Sequence, residues 1–247
     1  MSRSPRGRAG GPASVKWDPA RQTPLLADPD HAAPFNPLDT KNIAIAVAKA
    51  LLDRNAKPLG ALTQFRGAGI YAIYYSGKFR AYRALAKENR DKEHPRWPIY
   101  VGKATPAGGR RGGPFNLEAT DTTALFGRLR EHAESIRSAD NIAIEDFTCR
   151  FLVIQHLWIP LAESLLISHF APIWNRLVDG FGNHDPGGGR YNSLCPRWDV
   201  LHPGRDWAAK CKPRPEQPTD IEREVVTYLA SAPIPSLATL AGNISAK

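Results

Sequence analysis

Seven residues have types that could assemble a reactive site: Tyr71, Tyr100, Lys103, Arg128, His132, Glu163 and Asn175. Arginine carries a planar fork of donors that matches a phosphate. A glutamate offers hard oxygens of the kind that Mg²⁺ or Mn²⁺ prefers. Arg128 and His132 are four residues apart, so on a helix they lie side by side on one face. A tyrosine with an ordinary pKa of about 10 is a poor base. It needs cationic neighbours or a metal to favour its phenolate. Each residue also has a plainer explanation. A strand tyrosine is usually half-buried packing, a histidine beside an arginine on a helix is usually a surface residue, and a glutamate near a helix start is favoured there by the helix dipole.

The elements that must position these residues are legible in outline. Residues 68–75 (AGIYAIYY) are β-branched and aromatic and bounded by glycines, which predicts a strand carrying Tyr71. Residues 98–102 (PIYVG) predict a second, antiparallel strand carrying Tyr100, and 147–154 a third. Between the first two, residues 78–92 read as a basic helix stopped by Pro95 and Pro98. Asp121 or Thr122 caps a helix to about Ser138, with Leu125, Leu129, Ala133 and Ile136 as its buried stripe. Pro160 suits the first turn of a helix over 160–170, which Pro172 ends. Asp39 or Thr40 caps an earlier helix, with Ile43, Val47 and Leu51 on one face, ending near Asn55. Residues 180–206 read as a long loop, and Ile221, Val225 and Leu229 mark a short amphipathic helix after a Pro-rich linker. The core order is therefore β-β-α-β-α, an α+β pattern. The expected division is an arm over 1–37, a helix and linker over 38–64, a catalytic domain over 65–212, and a linker with a short helix over 213–247.

Gly69-Ile70-Tyr71 opens the first strand, and Tyr100-Val101-Gly102-Lys103 closes the second. These motifs resemble those of the GIY-YIG nuclease superfamily, with valine where the family usually has isoleucine. Arg128, His132, Glu163 and Asn175 follow in the family's order, and the resemblance covers 68–176. It implies a small three-stranded antiparallel sheet flanked by helices, decorated here by an N-terminal arm, loop insertions and a C-terminal extension. It also implies hydrolysis of a phosphodiester. Glu163 would hold a single divalent ion, Mg²⁺ with Mn²⁺ as a substitute, with water and DNA phosphate completing the shell. Arg128 would hold the scissile phosphate. Tyr71 is the family's general base, Tyr100 orients the water or a phosphate oxygen, His132 accepts the Tyr71 proton or bonds the phosphate, and Asn175 braces the site. Lys103 joins the cations beside Tyr71.

Composition fits a polyanionic partner. The 247 residues carry a net charge of +9. From Ser76 to Arg111 ten Lys or Arg stand against three acids, so this one segment supplies seven of the nine charges. Three cysteines without CxxC spacing argue against a disulfide framework or a structural zinc site and fit a reducing cytoplasm. No secretory signal or membrane span is expected, nor any nucleotide cofactor.

The internal insertions, including the strings GFGNHDPGGGR and WDVLHPGRDWA, resemble the restriction-endonuclease branch of the superfamily. One active site per chain and double-strand cleavage imply a homodimer on a palindromic site in double-stranded DNA. Arg110, Arg111, Arg190, Arg197 and Arg205 are the candidate base readers, since arginine forks read guanine in the major groove. The competing readings are a repair or homing endonuclease, a noncatalytic DNA-binding protein, and a zinc module built on Cys149, Cys195, Cys211, His184 and His202, whose spacing matches no common site.

Overall fold

The computed structural model describes residues 38–106, 122–185, 187, 191–232 and 234. Its centre is an antiparallel sheet of β1 (Lys57–Pro58), β2 (Gly69–Tyr75), β3 (Pro98–Ala104) and β4 (Phe147–Val153) in the order β1-β4-β2-β3. The three long strands are the expected ones. The fourth is a two-residue edge pairing with Thr148 and Cys149, and Pro58 fits there because an edge strand does not need its missing N–H. Strand β2 is central and every one of its seven residues is buried, which explains why its sequence is apolar on both faces rather than alternating.

Seven α-helices accompany the sheet among the described residues: α1 (Thr40–Leu52), α2 (Arg83–Glu88), α3 (Ala124–Arg137), α4 (Ile159–Phe170), α5 (Ile173–Arg176), α6 (Arg197–Leu201) and α7 (Pro218–Ser231). Alternation along β2 sends Ile70, Ala72 and Tyr74 to a core shared with Leu51 of α1 and Ile159, Ala162, Leu166 and Phe170 of α4. It sends Tyr71, Ile73 and Tyr75 to the opposite core, built with Leu125, Leu129 and Ile136 of α3, Trp174 of α5, Trp198 of α6 and Ile221, Val225 and Leu229 of α7. The apolar stripes expected on α3 and α7 are thus the buried ones, and α7 packs as a part of this core.

Three expected elements differ. The basic helix over 78–92 is only six residues long, with a 3₁₀ turn at Arg80–Tyr82 before it. The buried amide of Asn89 stops it. That side chain donates to the carbonyls of Tyr75 and Trp97 and accepts from the N–H groups of Arg96 and Trp97, drawing the two ends of the insertion together between β2 and β3. The segment 180–206 is not all loop, because α6 lies within it and buries Trp198 and Leu201. The first helix stops at Leu52, short of Asn55. No helix among the described residues is long and apolar enough to cross a membrane.

Candidate active site

Strand β3 lies at the edge of the sheet, so side chains from both layers can meet around it. Tyr71 stands opposite Gly102 in the β2–β3 register, and Tyr100 lies two residues before Gly102 on the same face. A Cβ at Gly102 would fall 2.4 Å from the Tyr71 hydroxyl, so only glycine lets that phenol lie across the neighbouring strand. A Cβ at Gly182 would similarly fall 2.7 Å from the Tyr100 hydroxyl. The glycine of the second motif therefore makes room for the tyrosine of the first.

Helix α3 brings Arg128 and His132 against this face. His132 is buried, not a surface residue, and its Nε2 lies 2.6 Å from the Tyr71 hydroxyl. Its ring stacks on Phe181 at 4.5 Å and meets the Tyr100 ring edge-on at 5.2 Å. Burial, and then the nearby Arg128 charge, hold His132 well below its ordinary pKa, so it is neutral. Burial also raises Tyr71 well above the usual tyrosine value, helped by Tyr100 and Glu163 and opposed by Arg128. Tyr100 is raised by burial and by Glu163, again against Arg128. The expectation that cationic neighbours favour a Tyr71 phenolate is therefore corrected for the free protein: burial outweighs the one opposing cation, and the phenol keeps its proton.

Glu163 comes from α4, on the other layer, and forms an ion pair with Lys103 of β3 at 2.7 Å. Its charge acts on both tyrosines, which sets it beside them across the edge strand. The helix begins at Ile159, so Glu163 lies in its second turn, where the helix dipole gives it less reason to be. Its side chain is 18% exposed. Among the described residues no group of three or more His, Cys, Asp or Glu could hold a metal. A single, partly open, hard carboxylate fits a divalent ion that keeps most of its shell as water and phosphate, as Mg²⁺ commonly does.

Asn175, at the third position of α5, spans the open edge of β3. Its Oδ1 accepts from the Val101 N–H and its Nδ2 donates to the Val101 carbonyl, both at 2.8 Å. Arg128 contacts Glu131 at 3.1 Å and His184 through the same terminal nitrogen.

The expected base readers fare differently. Arg205 is buried and forms a bidentate pair with Asp199, both contacts at 2.6 Å. It also donates to the carbonyls of Gly180, Phe181 and Asn183 and lies between the rings of Trp198 and Trp207. Its donors are committed inside the fold, which is not the exposed placement expected of a base reader. Arg197, whose side chain is 15% exposed, pairs with the half-exposed Glu224 of α7 at 2.5 Å. Arg110, Arg111 and Arg190 lie outside the described residues. All three cysteines are free, with Cys149 and Cys211 buried.

A sheet with tyrosines on paired strands, an Arg/His pair on one helix and a glutamate on another defines a GIY-YIG nuclease domain. The family model described as the Eco29kI GIY-YIG domain matches residues 63–229, about two thirds of the chain, and the chain belongs to that restriction-endonuclease-associated family. No curated protein matches it.

Proposed function

We propose that this protein is a cytoplasmic type II restriction endonuclease that cuts double-stranded DNA at a short palindromic site, as a homodimer and with Mg²⁺. The observation that carries the reading is the 2.6 Å contact between the buried Tyr71 and His132, beside Tyr100 and within the fields of Arg128 and Glu163. The exposed cations Lys78, Arg80, Arg83, Lys87, Arg90, Lys92 and Arg96 between β2 and β3 support a DNA partner.

Tyr71 is the general base in this reading. Its hydroxyl donates to Nε2 of His132 in the Nδ1–H tautomer. As Tyr71 takes a proton from the attacking water, it passes its own proton to Nε2 of His132, which burial leaves unprotonated; the same burial disfavours the imidazolium, so the proton is held there only transiently. This handover removes the need for a standing phenolate, which the site does not favour. Arg128 orients the phosphate and offsets charge that builds on its oxygens. Tyr100 orients the water or a phosphate oxygen. Asn175 fixes the strand between Tyr100 and Gly102. Glu163 would hold the divalent ion, which supplies polarisation of the phosphate and stabilisation of the leaving oxygen.

Incubating the protein with plasmid DNA, with and without Mg²⁺, and sequencing the product ends tests this directly. One repeated palindromic end supports restriction. Scattered or branch-dependent cuts point to a repair or homing enzyme, and binding without cleavage points to a noncatalytic DNA-binding protein. Glu163→Ala should abolish cleavage and leave DNA binding intact.

A further inference from the structure

We propose that His184 is a positioning residue of the active site, holding Arg128 in the orientation that meets the scissile phosphate. This rests on the nuclease reading above. His184 belongs to none of the motif positions and lies in the segment after α5, far along the chain from α3.

The contact is direct. A terminal nitrogen of Arg128 donates to Nε2 of His184, and the same nitrogen lies 3.1 Å from Oε2 of Glu131. Nε2 of His184 approaches that carboxylate oxygen to 3.7 Å, a near approach and not a hydrogen bond. An arginine N–H can only donate, so Nε2 of His184 is the acceptor in this contact. The hydrogen bond to His184 and the ion pair with Glu131 meet at one nitrogen and restrain the guanidinium, and with it the direction of the remaining donors. A free arginine side chain loses rotamer freedom when it is ordered by substrate. Ordering it beforehand removes part of that cost from the step in which phosphate is gripped.

The placement of His184 is itself built. Arg205 donates to the carbonyl of Asn183 at 3.1 Å, to that of Phe181 at 3.2 Å and to that of Gly180 at 3.0 Å. On the other side, Asp185 accepts from the Gly187 N–H at 2.8 Å and from the Tyr191 hydroxyl at 2.9 Å. The segment that holds His184 against Arg128 also supplies Phe181, which stacks on His132. One buried arginine thus anchors partners for both catalytic residues of α3.

The test compares His184→Ala and His184→Gln in the full chain, alone and combined with Arg128→Ala. His184→Ala should slow single-turnover cleavage at saturating Mg²⁺ by about tenfold, as expected for losing a hydrogen bond to a charged group, with affinity for uncleaved DNA in Ca²⁺ nearly unchanged. His184→Gln keeps an acceptor oxygen and should recover most of the rate. In the Arg128→Ala background, His184→Ala should have no further effect, because its partner is gone. An unchanged rate for His184→Ala, no recovery with His184→Gln, or an undiminished effect without Arg128 would each overturn the proposal. If the wild-type chain cleaves no DNA, the nuclease reading fails separately. The proposal is then decided by the side-chain NMR signal of Arg128, assigned by its loss in Arg128→Lys. A shifted and narrowed signal in His184→Ala supports positioning, and an unchanged one rejects it.

Discussion

The side-chain amide of Asn175 makes both hydrogen bonds that a further strand would make to Val101, each at 2.8 Å. It completes the exposed edge of β3 at the one residue lying between Tyr100 and Gly102. Asn175→Ala leaves an N–H and a carbonyl of a buried strand residue without these partners. The expected loss is about 2–4 kcal/mol, read from urea denaturation, together with slower cleavage. A variant whose stability and rate both match wild type would show that the amide does not hold this edge.

Tyr71→Phe keeps the ring that packs over Gly102 and removes only the hydroxyl. Cleavage should fall by about 10²–10⁴-fold, the usual range for a lost general base, while DNA affinity is retained. The buried Nε2 of His132 loses its partner, so melting should also drop modestly. Cleavage within a few-fold of wild type would remove Tyr71 from the proton path.

Lys103 and Glu163 form a partly exposed pair, with the lysine side chain 40% and the glutamate side chain 18% exposed. Such pairs contribute little to stability, so Lys103→Met should change unfolding free energy by no more than about 1 kcal/mol. Removing a cation from beside a carboxylate favours another cation there. Mn²⁺ titration without DNA, followed by electron paramagnetic resonance, should show roughly fivefold tighter binding in Lys103→Met, and no binding in Glu163→Gln. Equal affinity in wild type and Lys103→Met would mean that the lysine and the metal do not compete for Glu163.

The three long strands, the buried stripe of α3 and the first turn of α4 were legible because each depends on short-range signals: β-branched runs, a spacing of three and four, and a proline at a helix start. The residues proposed as catalytic were legible through their order along the chain. Less visible were features set by contacts distant in sequence. Asn89 looks like any polar residue in a charged stretch, and nothing near it announces that its amide will close on Tyr75 and Trp97. Arg205 sits in a Gly- and Pro-rich string that suggested exposure, yet Asp199 six residues earlier was the sign that it has an internal partner. His132 was legible as a helix neighbour of Arg128 but not as buried, because its cover, Phe181, comes from a segment that reads as loop.

The corrected role of Arg205 makes a clear prediction. Burial pushes the Asp199 carboxyl up and Arg205 opposes that shift, so removing the guanidinium strands a costly carboxylate. Arg205→Lys keeps a charge but cannot make the bidentate pair or reach three carbonyls. It should cost about 3 kcal/mol, measured by denaturant unfolding. Protein that remains folded should keep its sequence preference in digests of a mixed-site substrate. A changed preference with unchanged stability would restore Arg205 as a base reader.

Acid should unfold the protein through its buried neutral histidines. His202 is held by burial at about 3, below its ordinary 6.5, while its Nε2 meets the Tyr82 hydroxyl and its Nδ1 meets Asn141, both at 2.8 Å. His132 is depressed in the same direction. Below pH 6.5 the unfolded chain binds protons that the folded chain refuses, so stability falls as pH drops from 6.5 toward 3. Between pH 7 and pH 4, His202 alone should remove about 3 kcal/mol. His202→Gln cannot charge, and should flatten that part of the pH dependence even if it lowers stability at pH 7. Denaturant melts of both proteins at each pH measure the slope. Parallel slopes for wild type and His202→Gln would show that His202 already carries its proton in the folded state at pH 4.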